Sequence, residues 1–135
     1  MMPFNQAMML RILQGLTILY VIVLTILLEI PLDTPEMNPA GETVKGYAHL
    51  ITFSLLGFLV ELCRRKRSLF FWISVLFLYA LGTEVLQWLL HPLCNRYFDW
   101  NDIFQNVLGV LLGTFVGYYC RLFVSRQRSE SRSSG

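Results

Sequence analysis

The sequence predicts an all-α membrane protein, a bundle of four transmembrane helices with short loops and both termini in the cytoplasm. Three observations lead there. Apolar residues make up 55% of the 135 residues and charged residues only 15%, against about 25% in an ordinary soluble domain, and the mean hydropathy is +0.52. Four apolar runs approach the ~20 residues needed to cross a ~30 Å hydrocarbon layer. Lysine and arginine, finally, collect in the segments that four crossings bring to one side.

The first run extends from Leu10 to Ile30, the second from Tyr47 to Cys63, the third from Leu69 to Leu90 and the fourth from Ile103 to Val124. Each must be helical, because an open strand would leave its backbone donors without partners in lipid. The first run is too long for the apolar part of a cleaved signal peptide, and no small-x-small cleavage site follows Ile30. Residues 1–9 are then a short cytoplasmic N-terminus, 10–124 the membrane domain, and 125–135 a disordered basic cytoplasmic tail.

Nine of the eleven basic residues (Arg11, Arg64, Arg65, Lys66, Arg67, Arg121, Arg126, Arg128, Arg132) share one side of such a bundle. The other side carries Glu29, Asp33, Glu36, Glu42, Asp99 and Asp102, with Lys45 and Arg96 as its basic residues. The positive-inside rule places the arginine-rich side in the cytoplasm. These basic residues are accounted for by topology, so the net charge of +2 gives no reason to expect nucleic acid as a partner. Three cysteines, two near the inner ends and Cys94 in an outer loop, make no disulfide framework. His91 and Cys94 lack the second close pair that a structural zinc site requires. No metal ligand set or cofactor is assigned on sequence grounds.

The polar residues that remain converge. Lys45 and His49 are four residues apart at the outer start of the second helix and share a face. Glu84, Gln87 and His91 follow at i, i+3 and i+7 toward the outer end of the third. Asp99, Asp102 and Asn106 open the fourth. Glu84 lies roughly 10 Å below His91 along the helix axis, inside the hydrocarbon region. A lone carboxylate there costs on the order of 2.5–3.5 kcal/mol even on lenient insertion scales, so Glu84 is expected to face the bundle, protonated or paired with His49, Lys45 or Arg96. Plainer readings exist for each residue alone. Asp102 can cap the fourth helix, Asp99 and Asp102 can favour its positive dipole end, Lys45 can snorkel, and Gln87 can bridge helices. A shared site explains them together.

Gly109, Gly113 and Gly117 repeat every fourth residue along the same stripe as Asp102 and Asn106. Such small-xxx-small spacing lets helix backbones touch in lipid, within the chain or in a homodimer. The segment from Pro31 to Gly46, with three prolines and three acids, reads as an outer connector or a lid over the cluster. Glu61 is accounted for by an i, i+3 or i, i+4 ion pair with Arg64 or Arg65.

Taken together, Lys45-x-x-x-His49, Glu84-x-x-Gln87 and Arg96-x-x-Asp99-x-x-Asp102-x-x-x-Asn106-x-x-Gly109-x-x-x-Gly113 resemble the VanZ-like family of small bacterial membrane proteins, over roughly Val44 to Gly117. The resemblance implies a bacterial inner-membrane location and a polar cluster of Lys45, His49, Glu84, Gln87, Arg96, Asp99, Asp102 and Asn106. Its namesake is associated with resistance to the glycopeptide teicoplanin, and no substrate follows from that.

Three functions are compatible with these residues. The chain can bind or handle an anionic envelope lipid or cell-wall precursor, with Lys45, Arg96 and His49 toward the phosphate. It can be a membrane enzyme acting on a lipid headgroup, with His49, Glu84 and Asp102 as acid–base candidates, or with Asp99, Asp102 and His49 holding Mg²⁺. Or the cluster can lock the bundle of an assembly partner. Membrane lipids are its expected surroundings in every case.

Overall fold

The computed structural model describes residues 4–29, 39–64, 68–90 and 99–133, and all of its regular structure is helical. Four helices follow in order: α1 (Phe4–Glu29), α2 (Pro39–Cys63), α3 (Leu69–Leu89) and α4 (Trp100–Ser133). Each contains a stretch long and apolar enough to cross a membrane: Gln6–Glu29, Lys45–Cys63, Leu69–Leu89 and Trp100–Gln127.

The helix ends differ from expectation for local reasons. Helix α2 begins at Pro39, inside the segment read as a loop up to Gly46. Proline is well suited to a first helical turn, where its missing N–H has no intrahelical partner to lose. The added turns carry Lys45 and His49 onto regular helix. Helix α3 opens on the N-cap Ser68, whose hydroxyl accepts the Phe71 amide at 3.1 Å, and ends at Leu89 with Leu90 as its C-cap, just before His91-Pro92 in the sequence. Helix α4 starts at Trp100, three residues earlier than expected, and continues to Ser133, where the sequence suggested a disordered tail. No glycine or proline interrupts it between Tyr118 and Ser133.

Buried polar or charged residues number nine and buried apolar residues eight among the described residues. A water-soluble domain sorts the other way. Here the outward surface carries the apolar side chains, among them Ile18, Leu19, Phe70, Leu78, Phe104 and Phe115, as lipid favours, while polar groups turn inward to find partners. The apolar core is small: Leu24 and Leu28 of α1, Phe53, Leu56 and Val60 of α2, Leu76 and Ala80 of α3, and Val110 of α4. Helix α1 is tied on by Tyr20, whose hydroxyl donates to the Thr52 carbonyl at 2.9 Å, and by Thr25 against the Tyr79 hydroxyl at 2.9 Å. Cys63 meets Thr17 at 3.3 Å, and Cys63 and Cys120 are free thiols.

The closest packing is between α2 and α4, which run parallel. Lys45 faces Asp102 and His49 faces Asn106, both at an offset of 57 residues. Further along, a Cβ on Gly113 would overlap the Ser54 carbonyl, and one on Gly109 would lie 2.6 Å from the Leu50 carbonyl. Gly117 meets Phe58 and Glu61. The contact is reciprocal, since a Cβ on Gly57 of α2 would lie 2.6 Å from the Val110 carbonyl of α4. Two backbones thus meet with no side chain between them, and the three glycines of α4 act within the chain.

Substitution here should be far costlier than elsewhere. Gly113→Ala should destabilise the detergent-solubilised protein by about 1–3 kcal/mol or more, because the opposing group is rigid backbone. Gly82→Ala and Gly15→Ala meet nothing within 4 Å and should be neutral or stabilising by up to ~1 kcal/mol. Thermal unfolding of the three variants, followed by circular dichroism, checks the contrast.

Candidate functional site

At the end of the bundle where α2 and α4 begin and α3 finishes, five buried or half-buried side chains from three helices meet. Asp102, in the first turn of α4, is 1% exposed and forms an ion pair with Lys45 from α2. Its Oδ2 also lies 3.8 Å from His49 Nε2. The other ring nitrogen, Nδ1, lies 2.9 Å from Asn106 Oδ1, and Asn106 Nδ2 donates to Glu84 Oε1 at 3.4 Å.

The hydrogen-bond directions follow from chemistry. The Asn106 amide nitrogen donates to Glu84 Oε1, which leaves its oxygen as the acceptor facing His49. The His49 Nδ1 therefore carries the proton. In the neutral ring this leaves the Nε2 lone pair on the side of Asp102. Asn106, fully buried, fixes both the imidazole and the carboxyl group. One donor atom each from His49, Glu84 and Asp102 lies within 4.8 Å of the others. This set shares His49 and Asp102 with the His49, Asp99 and Asp102 combination considered from sequence and has Glu84 in place of Asp99.

The remaining predicted residues divide. Gln87 is buried, but its amide donates to the Leu28 carbonyl at 3.1 Å. Leu28 lies in the last turn of α1, where carbonyls have no intrahelical donor, so Gln87 caps α1. Asp99 accepts the Asn101 amide at 2.8 Å and precedes the first residue of α4. It is the N-cap, a role the sequence had offered to Asp102; the earlier helix start moves Asp102 into the first turn. Arg96, with His91 and Cys94, lies outside the described residues. Gly109, Gly113 and Gly117 line the α2–α4 contact, one or more turns beyond the cluster.

A second ionic group lies at the opposite end and was only half legible. Glu61, 1% exposed, receives both Arg64 Nε at 2.7 Å and Arg64 Nη2 at 2.9 Å. This pairing holds the Arg64 guanidinium above its usual pKa, chiefly through the hydrogen bond to Glu61. Arg121 of α4 adds a bond to Glu61 Oε1 at 3.0 Å and another to its carbonyl at 2.9 Å. The Arg64 pair was expected and Arg121 was not. The available signal was the stripe itself, since Arg121 follows Gly117 at the same four-residue spacing.

A four-helix polytopic bundle with a polar interior and a buried ionic cluster at one end defines an integral membrane protein. The VanZ/LLP1 family profile matches residues 8–123, nearly the whole membrane domain, and the chain belongs to that family. Neither the curated proteins nor the solved structures provide a match.

Two substitutions separate these roles. Asp99→Ala should cost about 1 kcal/mol through loss of the cap, and Asp99→Asn should restore it. Glu61→Gln should cost about 1–3 kcal/mol, less than the 3–5 typical of a fully buried pair, because both arginines can reach solvent. Chemical denaturation in mixed micelles measures both.

Proposed function

We propose that this VanZ/LLP1 protein lies in the bacterial cytoplasmic membrane with both termini inside, and that it binds the anionic headgroup of an envelope lipid or cell-wall precursor at the outer end of the bundle. One observation carries the reading: the Lys45 side chain is 24% exposed, whereas its partner Asp102 is 2% exposed. The ammonium is anchored from behind by a buried carboxylate and keeps one side toward the mouth of the bundle. Such a cation offers a phosphate a charge-assisted hydrogen bond without having to be ordered first.

The position favours a lipid over a soluble ligand. Helices α2 and α4 enter their apolar stretches at Lys45 and Trp100, which supports a reading in which Lys45 meets a headgroup at the boundary while the lipid chains stay in the bilayer. Arg96, on the same side by sequence, adds a second cation in this reading. A cell-wall precursor as ligand would connect the protein to glycopeptide susceptibility, because it would alter exposure of the antibiotic's target; teicoplanin sensitivity of a deletion strain tests that link.

The headgroup itself is tested by native mass spectrometry after extraction in mild detergent. Wild type should carry anionic lipid adducts. Lys45→Gln should lose about tenfold of that retention, the worth of one hydrogen bond between charged groups, while Lys45→Arg keeps it. Equal retention by folded Lys45→Gln would refute the assignment and leave the cluster as a lock that holds the helices together.

A further inference from the structure

The cluster behind Lys45 has a property that headgroup binding by Lys45 alone leaves unused. Two carboxyl groups, Glu84 at 0% and Asp102 at 1% exposure, lie with one ammonium, so ionising both beside a neutral His49 would leave one excess negative charge. Excess buried charge is costly, and an unpaired buried ion more so. Glu84 Oε2 is also buried without a hydrogen-bond partner among the described residues. A buried carboxylate oxygen in that state calls for an explanation, and a cation beside it is one.

We infer that His49, Glu84 and Asp102 form a binding site for a divalent transition-metal ion such as Zn²⁺ or Mn²⁺. The three donors come from three different helices, and they lie within 4.8 Å of one another. An ion with bonds of about 2.0–2.2 Å holds tetrahedral ligands roughly 3.4 Å apart, so rotamer adjustments of under ~1 Å per side chain close the set. The donor chemistry selects the ion class. One imidazole with two carboxylates suits Zn²⁺ or Mn²⁺, whereas Ca²⁺ and Mg²⁺ favour all-oxygen sites.

The surroundings are those of a metal ligand as well. Asn106 Oδ1 accepts from His49 Nδ1 at 2.9 Å and so directs Nε2 toward Asp102, the outer-shell contact that orients a ligating histidine. It touches Glu84 with its other end. Three protein ligands leave a further coordination position for water or a ligand oxygen. Lys45 competes with the ion for Asp102 and returns to it when the ion leaves. A divalent ion held by both ionised carboxylates, with Lys45 charged and His49 neutral, would give the group one excess positive charge, which makes the end of the bundle fit for a phosphate. That last consequence rests on the headgroup reading; the metal site does not.

The experiment uses the untagged full-length chain in detergent, stripped with chelator, then titrated with Mn²⁺ by electron paramagnetic resonance and with Zn²⁺ by equilibrium dialysis and elemental analysis. One ion per chain is expected, with a metal-dependent rise in thermal stability. His49→Gln and Glu84→Gln should weaken binding by about tenfold or more, and Asp99→Asn should leave it unchanged. Lys45→Met, which removes the competing ammonium, should bind about tenfold more tightly. That gain of affinity is a result no misfolded variant can mimic. An empty wild type, full retention by folded Glu84→Gln, or weaker binding by Lys45→Met would each overturn the site. Metal without anionic lipid refutes the headgroup reading alone, and anionic lipid without metal refutes the metal site alone.

Discussion

Everything in this bundle depends on the contact between the backbones of α2 and α4. In lipid no hydrophobic force draws apolar helices together, so association rests on close approach and on polar groups that find each other. Gly113 against the Ser54 carbonyl and Gly57 against the Val110 carbonyl give the close approach. Ionic groups mark both ends of the contact: Lys45 with Asp102 at one, Glu61 with Arg121 at the other. A slip by one turn would break both pairs and drive Cβ atoms into carbonyls. The register is consequently strongly specified, and with it the position of every side chain in the cluster.

Helix α3 contributes differently. It brings Glu84 to the cluster and Gln87 to α1, so adjacent turns of one helix face serve two neighbours. This explains how the span can carry both Glu84 and Gln87 buried, while the third buried polar residue, Thr83, bonds back to the Ala80 carbonyl. Gln87 satisfies a terminal carbonyl of α1, and Glu84 meets Asn106. Helix α1 is held by hydroxyls and by a few core side chains, while most of its surface faces outward. The rigid part of the molecule is therefore the α2–α4 pair, with α3 placing an acid against it.

Much of this was legible in the sequence because the membrane limits the choices. Apolar run length placed the four helices, and four-residue spacing placed His49 one turn below Lys45 and Asn106 one turn below Asp102 on their helices. Glu84 was expected to face inward because lipid cannot accept a bare carboxylate. What escaped required knowing which helices touch. The reciprocal role of Gly57 is invisible without the register, since a lone glycine in a helix carries no period. Arg121 looked like one more topology-setting arginine, although it closes the far end of the α2–α4 contact. The exchange of roles between Asp99 and Asp102 came from a helix start three residues early. Gln87 had the spacing of a cluster residue, but its amide is long enough to reach the neighbouring helix end.

The register of α2 on α4 is the claim on which the cluster stands, and disulfide trapping measures it most directly. Gly46 lies 3.7 Å, by its added Cβ, from the Gln105 side chain, an ordinary contact. In a chain with the three native cysteines replaced by serine, the pair Gly46→Cys and Gln105→Cys should oxidise rapidly in native membranes. The pair Gly46→Cys and Leu112→Cys, displaced by two turns, should not. Trapping of the displaced pair, or failure of the first in folded protein, would contradict the parallel register and separate the residues that the site requires.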